Sequence, residues 1–245
     1  MITVIQGRVG SGKSYRAAKA TIEHLLAGGV VATNMRVDLA AVRRKYRRRI
    51  GAWQLLPVSA ESDPRRIPRG DFRGHGKRRV LVVLDEALNW FASETSGASR
   101  NDGRKALWGE WLRQSDKLGQ DVVFIAQSFE RAAKWLRELA QVAVDVFNFG
   151  QVTLLGMPVG KWLRLDLWAM HVTWDVRSKS RLGIRIVHHG PDVWECYESA
   201  ELYGFEASAS AYVATAWPAY RVPGVRLAWV PIGWALVRVV VEVLR

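Results

Sequence analysis

Eight residues near the start of the chain, Gly7-Arg8-Val9-Gly10-Ser11-Gly12-Lys13-Ser14, have the types and spacing of a phosphate-binding loop, G-x-x-x-x-G-K-S. Glycines at these places let the backbone curl so tightly that successive N–H groups face one anion. The helix expected from Tyr15 to Leu26 points its positive end at the same spot. Lys13 is long enough to reach β- and γ-phosphates, and the Ser14 hydroxyl can ligate Mg2+. The apolar run Met1-Ile2-Thr3-Val4-Ile5 supplies the preceding strand that the motif requires. Without the Lys-Ser pair, the same turn would be an ordinary strand-to-helix connection.

Cleaving a bound triphosphate needs a second acid for the metal, a group that positions water, and a cation for the developing charge. Val80-Leu81-Val82-Val83-Leu84-Asp85-Glu86-Ala87 is an apolar run ending in two acids, the Walker B pattern. In that reading Asp85 holds Mg2+ and Glu86 polarises the attacking water. The spacing predicts that this strand lies next to the strand of the phosphate loop. The competing reading is that Asp85 caps the helix that follows. Val122-Val123-Phe124-Ile125-Ala126-Gln127 is a further apolar run; Gln127 either touches the γ-phosphate or merely opens a turn. Arg113, Arg131 and Arg137 lie near it, and any could reach a neighbouring subunit's nucleotide. Arg137 is the first choice; otherwise each is an exposed side chain.

These groups need a frame. Five apolar runs fall in the first 150 residues: Ile2–Ile5, Val30–Thr33, Val80–Leu84, Val122–Ala126 and Val142–Phe147. Continuous rather than alternating apolar runs suit parallel strands buried on both faces. Helical patterns at Tyr15–Leu26, Leu107–Leu118 and Phe129–Gln141 separate several of them, so an α/β fold with helices flanking a parallel sheet is expected. Residues 1–150 would be its core. Residues 36–79 are rich in arginine, and their second half is rich in Pro and Gly; they read as an exposed insertion. Within it Arg43, Arg44, Lys45, Arg47, Arg48 and Arg49 could face nucleic-acid phosphates or anionic lipid. The Ser-, Gly- and Asn-containing stretch 93–104 reads as a mobile loop.

After Gly150 the pattern alternates. Trp162–Trp168 and Met170–Trp174 read as strands with one wet face, and Leu182–His188 as their continuation. Residues 151–205 would thus be an antiparallel extension of the same domain. The tail 206–245 is apolar, most strongly from Val225 to Arg245, but the longest uncharged run of that last part, Leu227–Val237, is shorter than the ~18 residues of a membrane span. It reads as a membrane-surface or partner contact, or as a truncated or imperfect span.

Composition narrows the classes. The chain has 245 residues, is 49% apolar and carries 36 basic against 23 acidic side chains, a net +13. Wholesale disorder is excluded, and an anionic partner, nucleic acid or an anionic membrane face, is favoured over a mere solubility charge or a basic host proteome. The single cysteine, Cys196, cannot form an internal disulfide and fits a reducing compartment. No zinc-type Cys/His spacing or signal peptide is visible.

The phosphate loop, the Leu84-Asp85-Glu86-Ala87 strand end and the block from Trp111 to Gln127 together resemble the zonular occludens toxin (Zot) domain, a family that includes the assembly ATPases of filamentous phages. Ala132–Leu139 and Tyr197–Tyr203 fit the same pattern, so the resemblance covers roughly residues 1–205. It implies a RecA-like P-loop ATPase of the FtsK/HerA branch that uses ATP and Mg2+. It further implies a ring, expected to be a hexamer, at the cytoplasmic face of the host inner membrane. There the ring would extrude phage single-stranded DNA with coat protein, anchored directly or through a membrane-bound phage partner. Residues Gly7 to Ser14, Asp85, Glu86 and Gln127 match the family motifs. Gln114-Ser115-Asp116-Lys117 departs from the basic, His-containing stretch common there. The alternatives are a soluble DNA translocase or packaging ATPase of the same fold, a nucleotide-dependent structural protein without turnover, and a small-molecule kinase.

Overall fold

The computed structural model describes residues 1–59, 61–86, 102–131, 134–153, 157, 159–163 and 165–198. The chain divides into Met1–Ser199 and Ala200–Arg245. The tail 206–245 and most of the stretch 93–104 lie outside the described residues.

The strands are β1 (Ile2–Gln6), β2 (Val31–Thr33), β3 (Arg36–Val37), β4 (Leu55–Pro57), β5 (Val80–Leu84), β6 (Gln120–Ala126), β7 (Val142–Asn148), β8 (Trp168–Asp175), β9 (Arg181–His188) and β10 (Tyr197–Glu198). The helices are α1 (Lys13–Leu26), α2 (Leu39–Tyr46), α3 (Asp102–Gln114), α4 (Lys134–Leu139), α5 (Val159–Trp162) and α6 (Pro191–Trp194). Eight strands form one sheet in the order β4-β2-β5-β6-β1-β7-β8-β9. The first six run parallel, and β8 and β9 add antiparallel. Thus Met170–Trp174 and Leu182–His188 widen the same sheet, but without the expected single wet face: β8 is buried from Ala169 to Val172, and β9 is exposed from Arg181 to Arg185.

Residues at alternate strand positions feed two apolar clusters, one per face. Ile5, Val31, Val83, Ile125 and Val144 pack with Tyr15, Ala18, Ile22 and Leu25 of α1. Val4, Val82, Leu84, Val122 and Phe124 pack with Trp108, Trp111 and Leu112 of α3 and with Leu136 of α4. The result is a sheet between two helical layers. Spacings of three and four residues put Tyr15, Ala18, Ile22 and Leu25 on one stripe of α1. That helix stops where Gly28 takes φ +87° and Gly29 N–H donates back to His24 at 3.0 Å.

Four expectations need correction. β6 lies between β1 and β5, so the Asp85 strand is not the neighbour of the phosphate-loop strand. The seven-residue β6, with Val122 and Phe124 almost wholly buried, covers more apolar surface in the middle of the sheet than at an edge. Residues 36–79 are not simply an exposed insertion. Leu55–Pro57 pairs with β2 as the sheet's edge strand, and Val42, Ile50, Val58 and Ile67 are buried. Trp162–Trp168 is not a strand: Trp162 ends α5, and Leu163 and Leu165 donate back to Val159 and Gly160, which turns the chain before β8 begins. The helix expected over Phe129–Gln141 is a single 3-10 turn, Phe129–Arg131, followed by the short α4.

Candidate functional site: the phosphate loop and its surroundings

The loop Gly7–Ser14 joins β1 to α1 at the carboxyl ends of the parallel strands. Its glycines adopt φ +152° at Gly7, +73° at Gly10 and +95° at Gly12, values that side-chain-bearing residues avoid. Ser11 N–H donates to Arg8 O at 3.1 Å, which closes the turn. Among the described residues no protein acceptor meets the N–H groups of Gly10, Gly12, Lys13 and Ser14. The buried Ser11 hydroxyl likewise has no partner. A concave set of unpaired donors at a helix start suits a polyanion.

Lys13 Nζ donates to Gly7 O at 2.9 Å and to Arg8 O at 2.8 Å, so it lies along the loop. Desolvation lowers its pKa, opposed by the nearby charges of Asp85 and Glu86. The two acids at the end of β5 thus converge on the lysine of the loop even though β6 intervenes. The Ser14 hydroxyl donates to Asp85 Oδ2 at 3.3 Å. A hydroxyl and a carboxylate facing each other beside unpaired amides are the hard oxygen donors that Mg2+ takes with a phosphate, so the residues present fit that ion. Burial raises the Asp85 carboxyl above its usual value, and hydrogen bonds from Glu86 N–H (2.9 Å) and Ser14 oppose the rise. Glu86 itself has φ +51°. Whether Asp85 also caps a helix falls on residues outside those described.

Gln127 follows β6 directly, one residue past the last β1–β6 pair, Gln6 with Ala126, as Gly7 does on β1. It lines a groove of about 520 Å³ with Gly7, Arg8, Glu130, Phe147 and Asn148, and its amide makes no hydrogen bond among the described residues. Arg137 is exposed on α4 and Arg113 on α3. The structure brings neither to the loop of its own chain, and the side chain of Arg131 is outside the described residues. In the basic stretch, Arg43 Nε donates to Ile50 O at 2.8 Å, while Lys45 bonds Pro191 O at 2.9 Å and Glu195 at 2.7 Å. Arg44, Arg47, Arg48 and Arg49 are exposed around the end of α2.

Several residues that sequence reasoning passed over shape the site. Asn34 bonds both peptide groups of Asp85, at 2.8 and 2.7 Å. Asn148 and Gln151 donate to Gly10 O at 3.2 Å and Val9 O at 2.7 Å, gripping the loop from outside. Gln6 ties Phe129 N–H, at 2.8 Å, to Asp145, at 2.6 Å, and so fixes the segment after Gln127. Behind the loop, the His189 ring stacks on Tyr15 with centroids 4.2 Å apart, and Gly190 N–H donates to the Tyr15 hydroxyl at 3.0 Å. A Cβ at Gly12 would collide with the His189 ring. Burial holds the His189 and His171 imidazoles down, to about 4 and about 3, so both are neutral. The only sequence signal for these partners was their type, amides and histidines near glycines, which is too common to single them out.

The zonular occludens toxin (Zot) family model matches residues 1–199 of the chain. The gene 1 protein of Enterobacteria phage I2-2 is 25% identical over 214 residues, which covers 82% of this chain and 57% of that protein. The chain therefore spans less than two thirds of the length of that relative. Among solved structures, the N-terminal domain of zonular occludens toxin from Neisseria meningitidis aligns with TM-score 0.49 and 16% identity, over 80% of this chain and 98% of that one. The genome packaging NTPase B204 from Sulfolobus turreted icosahedral virus 2, in complex with ATP-gammaS, aligns with TM-score 0.42 and 15% identity, over 76% and 96%.

Proposed function

The chain belongs to the zonular occludens toxin (Zot) family, and from that premise we propose that it is an ATP-hydrolysing motor for filamentous phage assembly. The observation that carries the reading is the meeting of Ser14 with Asp85 beside four unpaired loop amides. The loop would bind the β- and γ-phosphates, and Lys13 would leave Gly7 O and Arg8 O to meet them. Mg2+, held by Ser14 and Asp85, would supply charge neutralisation across the phosphate oxygens. Glu86 orients and deprotonates the attacking water, and Gln127 contacts the γ-phosphate from the neighbouring strand end. The groove beyond Arg8 is large enough for a nucleoside.

The finer reading is a homo-oligomer, a hexameric ring in which Arg137 of one subunit completes the next subunit's site. Its cargo would be phage single-stranded DNA with coat protein, moved at the host inner membrane. The exposed arginines around the end of α2 support an anionic partner. Among the described residues no helix is long and apolar enough to cross a membrane. Phosphate release by wild type compared with Glu86→Gln tests the motor: equal rates would remove hydrolysis from the proposal. Flotation with anionic vesicles separates the membrane-bound motor from a soluble DNA translocase or packaging ATPase, which would stay at the bottom of the gradient.

A further inference from the structure

We propose that Asn34 is a positioning residue that holds Asp85 and Glu86 in their working arrangement through the main chain, without touching substrate. The inference rests on the ATPase reading above. Asn34 follows β2 directly, and β2 pairs with β5 in parallel, Thr33 opposite Val83. One step on, the Asn34 side chain spans the gap to Asp85. Its Nδ2 donates to Asp85 O at 2.8 Å, and its Oδ1 accepts from Asp85 N–H at 2.7 Å. A single planar amide therefore grips the peptide groups on both sides of the Asp85 Cα.

The consequence falls on the next residue. The peptide linking Asp85 to Glu86 is held at its oxygen by Asn34 and at its N–H by the Asp85 carboxylate, at 2.8 and 2.9 Å. With that plane fixed, Glu86 continues at φ +51°, in the left-handed region. A non-glycine residue stays there only when its surroundings hold it. The geometry makes Asn34 that hold. β2 and β5 are paired over only Val31–Thr33, and beyond Thr33 the asparagine replaces the ladder. Removing the amide frees the Asp85–Glu86 peptide to rotate, which lets Glu86 return to an ordinary backbone and turns its carboxylate away from the water it must activate. The loop amides and Lys13 are untouched by this change, so the Mg2+-independent part of nucleotide affinity is kept.

The test compares Asn34→Ala and the near-isosteric Asn34→Leu with wild type, in the full chain, for nucleotide affinity and for turnover. Fluorescent ATP-analogue affinity measured without Mg2+ should stay within about twofold while kcat falls by about 100-fold, the usual penalty for a misplaced reacting group. Asn34→Ala should also remove little further rate when added to Glu86→Gln, because both act on the same water. Amide exchange of the peptide around Asp85 should quicken in both asparagine variants. Loss of affinity in step with kcat, or an equal rate penalty in the wild-type and Glu86→Gln backgrounds, would overturn the proposal. If wild type itself releases no phosphate from ATP, the ATPase reading fails, a result distinct from either. Should Asn34→Ala not fold, Asn34→Leu carries the same comparison.

Discussion

The Ser14 hydroxyl donates to Asp85 across 71 positions of sequence, at 3.3 Å. β1 and β5 are separated by β6, so their axes lie about 10 Å apart, two strand spacings. The gap is closed beyond the strand ends, where Ser14 ends the phosphate loop and Asp85 follows β5.

Burial of Asp85, which outweighs that contact, sets the sign of one stability effect. Burial raises the Asp85 carboxyl in the folded chain. The folded state then binds that proton more tightly than the unfolded state, so the associated stabilisation is complete below the unfolded value and fades as pH rises through the folded one. At neutral pH the ionised carboxylate costs stability in the metal-free chain. Asp85→Asn should therefore raise Tm at neutral pH, by roughly 2–4 °C for each kcal/mol regained, with the gain vanishing in acid. The same variant should lose the Mg2+-dependent part of ATP affinity. Thermal scans with and without Mg2+ check both; an unchanged Tm together with retained Mg2+ dependence would sink the assignment.

Lys13→Ala should weaken nucleotide binding. The lysine is the charge nearest the loop carbonyls, 2.8 Å from Arg8 O. Losing a charge-assisted bond to phosphate should weaken affinity by about 10-fold or more. Titration calorimetry with an ATP analogue measures this, and the far-ultraviolet spectrum should not change.

Gly12→Ala should be worse than an ordinary helix-start substitution. Gly12 sits at φ +95°, and its missing side chain is the space that the His189 ring occupies. That ring is buried and stacked on Tyr15, so it cannot swing aside. The variant should lose about 1–3 kcal/mol of stability and bind ATP weakly. Adding His189→Ala should recover part of the affinity, because it clears the clash. Failure of the second change to help would mean that backbone strain alone is responsible.

Neutralising Arg44, Arg47, Arg48 and Arg49 should weaken binding to single-stranded DNA. Its salt dependence should fall by about one unit for each phosphate the variant no longer neutralises. Lys45→Ala should instead lower Tm, because Lys45 fastens α2 to Pro191 and Glu195. Equal DNA affinity in the fourfold variant and wild type would leave the arginines as a solvated face.

The parallel core was legible because its strands announce themselves as continuous apolar runs such as Val80–Leu84, every residue of which is buried. The phosphate loop was legible because its chemistry needs a fixed local order. Strand order was not, since β6 sits between β1 and β5 for reasons of burial that no spacing records. Trp162–Trp168 misled because its alternation is that of a strand, while backbone bonds from Leu163 and Leu165 impose a turn. Asn34, Asn148, Gln151 and His189 escaped notice for a common reason. Each acts on a main-chain group or a glycine far away in sequence, and nothing near it marks that target.

The wall behind the phosphate loop comes from the far end of the described chain: Gly190 is 175 positions from the Tyr15 hydroxyl it bonds. During synthesis the loop leaves the ribosome early, yet its backing arrives only after His189 and Gly190 have emerged. A nascent chain arrested before that point should be unable to retain nucleotide, whereas one released after Trp194 should capture it. Ribosome-stalled chains of graded length would locate the moment at which this protein first becomes able to hold its fuel.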